Sequence, residues 1–418
     1  MEHIFHIITV AFSVFIMACF FYQGIYVVIG LLFKPKKFEA SKQHRYAVLI
    51  SARNESTVIA HLIHSIKTQT YPGELVDVFV VADNCTDNTA EISREAGAIV
   101  YERFNKSLVG KGYALHYLLE LIDKDYGISN YDGYFVFDAD NVLEKDYIEQ
   151  MNKVFDNGYR IVTSYRNSKN FGSNWISSGY ALWFLREAKF VNNARMLLGV
   201  SCAVSGTGFL IHSDIIKENN GWNYYLLTED IQFSVDNILK GEKIGYCGDA
   251  IFYDEQPVTF KDSWNQRLRW SRGFYQVFFR YGKQLAERAF FKFDFSCYDM
   301  FITLVPGIGL SIISGILGGI SLLSGVLNYR IILMLISKAL LSSLSSIYLT
   351  FFLLGLITLI TEWKRICCKP GKKVFYLFTF PIFMFTYIPI SFVALFHNPQ
   401  WKPILHSVSI TTQEIHEL

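Results

Sequence analysis

Residues Phe5 to Phe33 form a largely apolar run, with His6, Ser13 and Gln23 among its few polar positions. A helix rising 1.5 Å per residue needs about 20 such residues to cross a bilayer, so a spanning helix is predicted within residues 1–38. From about Ala40 to Ala289 the pattern changes to that of a globular chain, with a domain expected over 39–273. Short apolar runs at Tyr46–Ser51, Val76–Ala82 and Tyr134–Phe137 read as strands. Helical periodicity covers Thr57–Lys67, Thr89–Glu95, Lys111–Ile122 and Tyr147–Phe155. Strands and helices in turn predict an α/β domain, a mostly parallel sheet with helices on both faces. In such folds ligands sit at the carboxyl ends of the strands, so the polar residues just after those strands are the candidates for chemistry. Beyond Gly273 the aromatic and basic run Phe274–Tyr281 predicts an interfacial helix within 274–297, where rings and snorkelling cations are stable. Apolar stretches at Tyr298–Leu327, Ile331–Thr361 and Val374–Phe396 predict further spans over 298–396, followed by a tail at 397–418.

Charge orients this chain. Lys34-Pro35-Lys36-Lys37 follows the first span and only Glu2 and His3 precede it, which places the globular domain inside the cell. The length of the run and the lack of a cationic leader argue against a cleaved signal peptide. The basic loop Glu362–Lys373 is expected on the same side. One span before the domain and three after would leave the C-terminus outside. Pro381 and Pro389 interrupt the last stretch, however, and an interfacial or re-entrant piece would bring the C-terminus back inside. A net charge of +2 carries no nucleic-acid footprint. The seven cysteines have no zinc-like spacing and read as reduced thiols, with Cys367-Cys368 better explained as apolar filler than as a palmitate site.

Five strand-end or helix-start segments stand out. Asp138-Ala139-Asp140 follows the strand at Tyr134–Phe137, and two carboxylates at i and i+2 can turn toward one divalent cation and link it to diphosphate oxygens. Alone, the pair reads more readily as a polar turn. Asp83 follows the strand at Val76–Ala82, where its carboxylate can accept from a uracil N–H, while Asp87 or Asn88 caps the next helix. Glu55, in Ser51–Glu55, can reach a base or ribose, or simply precede a helix start at Ser56. Gly110-Lys111-Gly112 lacks the upstream glycine and the Ser or Thr of a phosphate loop, but Lys111 can still meet a nucleotide. Thr228-Glu229-Asp230 opens a helical run as good capping would, and Asp230 is also placed to act as a general base toward an acceptor hydroxyl. Further along, Gly206-Thr207-Gly208 allows close backbone approach to a ligand. Gln266, Arg269 and Trp270 fall at i, i+3 and i+4, one helix face carrying an amide, a guanidinium suited to phosphate and a ring suited to sugar.

The ordered set Asp83, Asp138-Ala139-Asp140, Thr228-Glu229-Asp230 and Gln266-x-x-Arg269-Trp270 resembles the inverting family 2 glycosyltransferases, most of all the membrane-embedded processive synthases of cellulose, chitin, hyaluronan and poly-N-acetylglucosamine. Asn54-Glu55 and Gly110–Leu115 are similar to family segments too. The resemblance implies a GT-A domain, a Rossmann-like mostly parallel sheet, inserted between transmembrane helices. It further implies that Glu55 and Asp83 bind uridine and that Lys111 lines the donor site. Asp138 and Asp140 would hold UDP, with Asp140 on Mg²⁺ or Mn²⁺. Asp230 would be the catalytic base, Gln266 and Arg269 would bind diphosphate, Trp270 would touch the acceptor sugar, and Gly206 and Thr207 would flank the acceptor end. Trp401–His406 resembles the gating segment near the C-terminus of hyaluronan synthases, without their threonine and arginine. The implied partners are a UDP-sugar, a glycan acceptor and the lipid bilayer, with room for accessory export proteins. Two rivals remain: transfer of a single sugar to a lipid or short acceptor, and a non-catalytic membrane transport or receptor protein.

Overall fold

The computed structural model describes residues 2–305, 329–399 and 406–417. An eight-stranded sheet organises the globular part, in the order β3-β2-β1-β4-β7-β6-β8-β5. Its strands are β1 (Tyr46–Ala52), β2 (Val76–Asp83), β3 (Ile99–Arg103), β4 (Gly133–Asp138), β5 (Val142–Leu143), β6 (Ile161–Ser168), β7 (Phe209–His212) and β8 (Ile244–Asp254). The first half, β3-β2-β1-β4, is parallel throughout. Parallel strands are covered on both faces, which is why β1 and β2 are mostly Val, Ile, Leu, Ala and Phe with almost no exposed side chain. The second half is mixed. β7 runs antiparallel to both β4 and β6, β8 is parallel to β6, and β5 is antiparallel to β8. The expected parallel core is therefore present, with a reversed strand in its middle. Gly206 and Gly208, both at positive φ (+79° and +68°), turn the chain sharply into β7.

Helices α2 (Ile59–Lys67), α3 (Thr89–Glu95), α4 (Lys111–Asp125) and α5 (Tyr147–Asp156) follow the predicted segments closely. Next come α6 (Trp175–Arg186) and α7 (Asn193–Leu198), joined by a π-helical stretch, Glu187–Asn192, then α8 (Ser213–Glu218) and α9 (Glu229–Lys240). One helix, α10 (Phe260–Phe291), runs unbroken through Gly273, so the Gln266–Trp270 face and the aromatic-basic run lie on a single rod.

The N-terminal helix α1 (Glu2–Leu32) is tied to the domain by a buried polar knot. Tyr22 and Tyr26 hydroxyls donate to Asp299 of α11 (Phe295–Leu304) at 2.8 Å, and Arg195 of α7 pairs with the same carboxylate. The remaining helices are α12 (Tyr329–Thr361), α13 (Pro370–Phe385), α14 (Tyr387–Phe396) and α15 (Thr412–His416). Among the described residues three stretches are long and apolar enough to cross a membrane: Val10–Leu32, Leu340–Thr361 and Pro370–Phe396. Of the expected span at Tyr298–Leu327, residues 306–327 lie outside the described residues, as do 401–405 of the Trp401–His406 segment.

Two features place later segments against the globular domain. Between α12 and α13, Glu362 accepts a hydrogen bond from the Tyr165 hydroxyl, and Arg365 O accepts from Asn167 at 2.8 Å. At the end of the chain Ile415 is fully buried with Val142 and Tyr253, and Thr412 donates to Leu143 O.

Candidate active site

The carboxyl ends of the parallel strands deliver the acids. β4 ends at Asp138, whose N–H donates to Thr207 Oγ1 at 2.9 Å. Lys111, the first residue of α4, bonds the Asp138 carboxylate and also Gly206 O at 2.8 Å. A Cβ added to Gly206 would stand 3.7 Å from Asp230 Oδ2, so the chain Asp138–Lys111–Gly206–Asp230 is contiguous. Residues from four separate regions thus meet in one cleft.

The cleft is electrostatically tense. Burial pushes the Asp230 carboxyl up, opposed by the Ile231 N–H and by Lys111. Burial and then the charge of Asp230 push Glu229 up to about 7, with Lys111 and Arg269 pulling the other way. Burial draws the Arg269 guanidinium down, while Glu229, Asp138 and Asp230 hold it charged. Three carboxylates and two cations therefore face one another in a half-buried cleft, with Asp138 open to solvent. Several polar atoms here are buried with no bonding partner: Gln266 Oε1, Arg269 Nε and Thr228 Oγ1. A buried polar atom left unpaired costs about 1–3 kcal/mol, and the first two belong to the face expected to meet diphosphate. Thr228 stands at the N-cap of α9, but its hydroxyl makes no cap bond. It is pressed instead against Gly273 of α10, where any Cβ would lie 2.5 Å from its side chain.

A second group of acids lies along the same sheet edge. Asp140 is 5% exposed and accepts from Glu255 N at 2.9 Å and Asn141 Nδ2 at 3.2 Å. Burial would raise its carboxyl, but His406, Lys169 and Arg166 hold it below the ordinary range. Glu55 accepts from His406 Nδ1 at 2.9 Å, and burial pushes this carboxyl up while His406 draws it back. Burial works against a charged His406, yet Asp140 and Glu55 raise the imidazole to about 10. His406 Nε2 is 4.0 Å from Asp140 Oδ2, so an imidazolium is held between the two carboxylates. The tail carrying it is anchored by Ser407 and Val408 N–H groups donating to Glu255. Asp83 ends β2 as expected, but Arg103 and Asn84 Nδ2 both bond its Oδ1.

Among the described residues no three His, Cys, Asp or Glu side chains are arranged as a ready metal cage. The donor set still suits Mg²⁺ or Mn²⁺ arriving with a diphosphate, because such ions take one or two carboxylates and complete their shell with phosphate oxygens and water. Asp140, kept ionised in a buried position, is that kind of donor.

Trp270 is half-buried rather than displayed. Its ring meets Tyr180 and Phe184 edge-on, at 5.7 Å and 6.2 Å. Arg103, Arg166, Lys169 and the stacked pair Tyr113–Tyr225 (4.5 Å) escaped sequence reasoning. Arg166 and Lys169 lie on and just after β6, a strand whose Ile161–Tyr165 run was the available signal.

Residues 44–273 match the profile described as "Glycosyltransferase like family 2". The chain is 26% identical over 292 residues to a "Probable glycosyltransferase YdaM" of Bacillus subtilis, a match covering 64% of each chain. It is 25% identical over 288 residues to a Nostoc beta-monoglucosyldiacylglycerol synthase, covering 64% of this chain and 58% of that one. A Staphylococcus epidermidis poly-beta-1,6-N-acetyl-D-glucosamine synthase is 23% identical over 273 residues, covering 62% and 64%. The matches thus span less than two thirds of these relatives' own length. Among solved structures, a Pyrobaculum calidifontis mannosyltransferase in complex with GDP-Man and Mn²⁺ superposes with a TM-score of 0.59 at 13% identity, covering 94% of this chain and 99% of that one, a likeness of fold.

Proposed function

Since this chain belongs to glycosyltransferase family 2, we propose that it is an inverting β-glycosyltransferase that moves a sugar from a UDP-sugar to a growing glycan at the membrane, processively and with translocation of the product. The observation that carries the proposal is the contiguity of Asp138, Lys111, Gly206 and Asp230, with Arg269 facing them.

In this reading Asp230 takes the proton from the acceptor hydroxyl, whose oxygen then attacks the anomeric carbon from the face opposite the leaving UDP. Attack from that face converts an α-linked donor into a β-linked product. Burial raises the Asp230 carboxyl and so makes it a stronger base than an exposed aspartate, and such a base contributes roughly 10²–10⁴-fold. Lys111, Arg269 and Gln266 hold the diphosphate and stabilise the charge it gains on departure. Glu55 and Asp83 orient the uridine, Asp83 through the oxygen not engaged by Arg103. Trp270, braced by Tyr180 and Phe184, forms the wall against which the acceptor sugar lies, with Gly206 and Thr207 beside it. A divalent cation on Asp140 would supply Lewis-acid neutralisation of the diphosphate.

The catalytic domain is placed on the cytosolic side, where Lys34–Lys37 and the basic loop at Glu362–Lys373 belong by the charge rule. A second reading, transfer of one sugar to a lipid, is supported by the similarity to the glucosyldiacylglycerol synthase. Incubating purified full-length protein with a panel of UDP-sugars, and reading UDP release together with product length, separates the two. A ladder of β-linked products supports the proposal, a single-sugar glycolipid supports the second reading, and no UDP release with any donor overturns both.

A further inference from the structure

Behind the sheet, away from the catalytic cleft, lies a cavity of about 580 Å³ lined by Pro35, Lys189, Asn193, Trp363, Lys364 and Arg365. Adjacent residues of a strand point to opposite faces, and β6 shows the separation directly. Arg166 reaches Asp254 on the catalytic side, whereas Tyr165 donates to Glu362 at the cavity. We propose that this cavity binds the head group of an anionic phospholipid bearing a free hydroxyl, such as phosphatidylglycerol.

Three observations carry the assignment. The first is position: the candidate span Leu340–Thr361 ends in the cavity lining and Val10–Leu32 ends just before Pro35 of that lining, so in the membrane-embedded reading the cavity opens at the level of lipid head groups. Trp363 lies there as an interfacial indole does. The second is charge. Lys189, Lys364 and Arg365 line the cavity, and the one carboxylate lining it among the described residues, Glu362, is buried (3% exposed) and already bonded by Tyr165 and approached by Arg365 at 3.8 Å. Lys189 and Lys364 therefore supply positive charge suited to a phosphodiester. The third is an open valence. Asn193 is 1% exposed, its Nδ2 is turned toward Phe33 O at 3.5 Å, and its Oδ1 is buried with no partner. That oxygen needs a donor, which a phosphodiester lacks and a head-group hydroxyl provides.

The proposal rests on the membrane-embedded reading above, and the experiment separates the two. Full-length protein is reconstituted into nanodiscs of phosphatidylcholine containing a minor fraction of phosphatidylglycerol, and the lipids retained after extraction into detergent are counted by mass spectrometry. Wild type is expected to retain phosphatidylglycerol about tenfold above its share, and Lys189→Gln with Lys364→Gln to bring it down to that share, since cations near a membrane surface favour anionic lipids. Lys67→Gln, a surface change elsewhere, is expected to behave as wild type. Retention in proportion to the mixture, or undiminished retention in the double variant, overturns the proposal. Displacement of the lipid by millimolar inorganic phosphate overturns the lipid assignment in favour of free phosphate. Failure to enter phosphatidylcholine discs at all removes the membrane reading, and the proposal with it.

Discussion

Asp230 and Glu229 are neighbours in sequence but are given different work by their surroundings. Asp230 faces Lys111 and the Gly206 turn, while Glu229 is raised to about 7 by burial and by the charge beside it. Asp230→Asn is expected to lower kcat by roughly 10²–10⁴-fold and to leave UDP affinity within about twofold. UDP release and calorimetric titration measure these, and near-normal turnover would strip Asp230 of the base role. Glu229 also predicts a pH effect on stability. As pH rises above its ordinary value of 4.5, an unfolded chain releases this proton while the folded chain holds it up to about 7. The folded state then binds more protons, so stability falls across that window. Discounted for its half-buried position, the loss is roughly 1 kcal/mol. In Glu229→Gln this part of the slope disappears, as the melting temperature of donor-free protein against pH would reveal. At the other end of the cleft, His406→Ala leaves Glu55 and Asp140 without their shared counter-charge. A drop of roughly 3 kcal/mol is expected, partly restored by Mg²⁺ with UDP. An equal response to Mg²⁺ and UDP in wild type and variant would argue that the imidazolium does not stand near the cation's place.

At the scale of elements, α10 matters most. Its first half presents Gln266 and Arg269 to the cleft, and its second half carries Phe278 and Tyr281 toward α11 and α9. Because no break separates the halves, a shift at one end is carried to the other. The contact between Gly273 and Thr228 joins this rod to the N-terminus of α9, which bears Asp230. Gly273→Ala places a methyl 2.5 Å from the short Thr228 side chain, which cannot swing clear. Overpacking of this kind costs typically 1–3 kcal/mol. A lowered melting temperature is expected, with kcat falling more than UDP affinity, because the displaced group is the proposed base. A variant as stable and active as wild type would show that α9 and α10 are not rigidly coupled there.

For the whole molecule, two anchors constrain the path of the chain. The loop between α12 and α13 touches the sheet through Glu362 and Arg365, and the tail docks through Ser407, Thr412 and Ile415. Residues at both ends of α13–α14 therefore sit on the catalytic domain. The pair is broken between Phe385 and Tyr387 and packs on α6 and α10. It follows that α13–α14 should enter and leave on one side rather than cross, the re-entrant arrangement that the proline pattern allowed. With native cysteines replaced, single cysteines at Lys372 and Gln413 are expected to react with an impermeant thiol reagent from the same side. Labelling from opposite sides would restore a crossing.

What the sequence determined by itself was the parallel half of the sheet and the polar residues at its strand ends. Long apolar runs can be buried on both faces only in such a sheet, and ligand-facing side chains follow where each run stops. Asp83, Asp138 and Asp140 were legible for that reason, while Asp230 and the Gln266–Trp270 face were picked out by helix spacing and by the order of the motifs along the chain. What only the tertiary structure decided depends on partners distant along the chain. The reversed β7, the pairing of Asp83 with Arg103, the bracing of Trp270 by Tyr180 and Phe184, and the imidazolium of His406 between Glu55 and Asp140 have no local signal. Each arises because folding brings together groups tens to hundreds of residues apart, and burial then makes their charges and shapes answer to one another rather than to water.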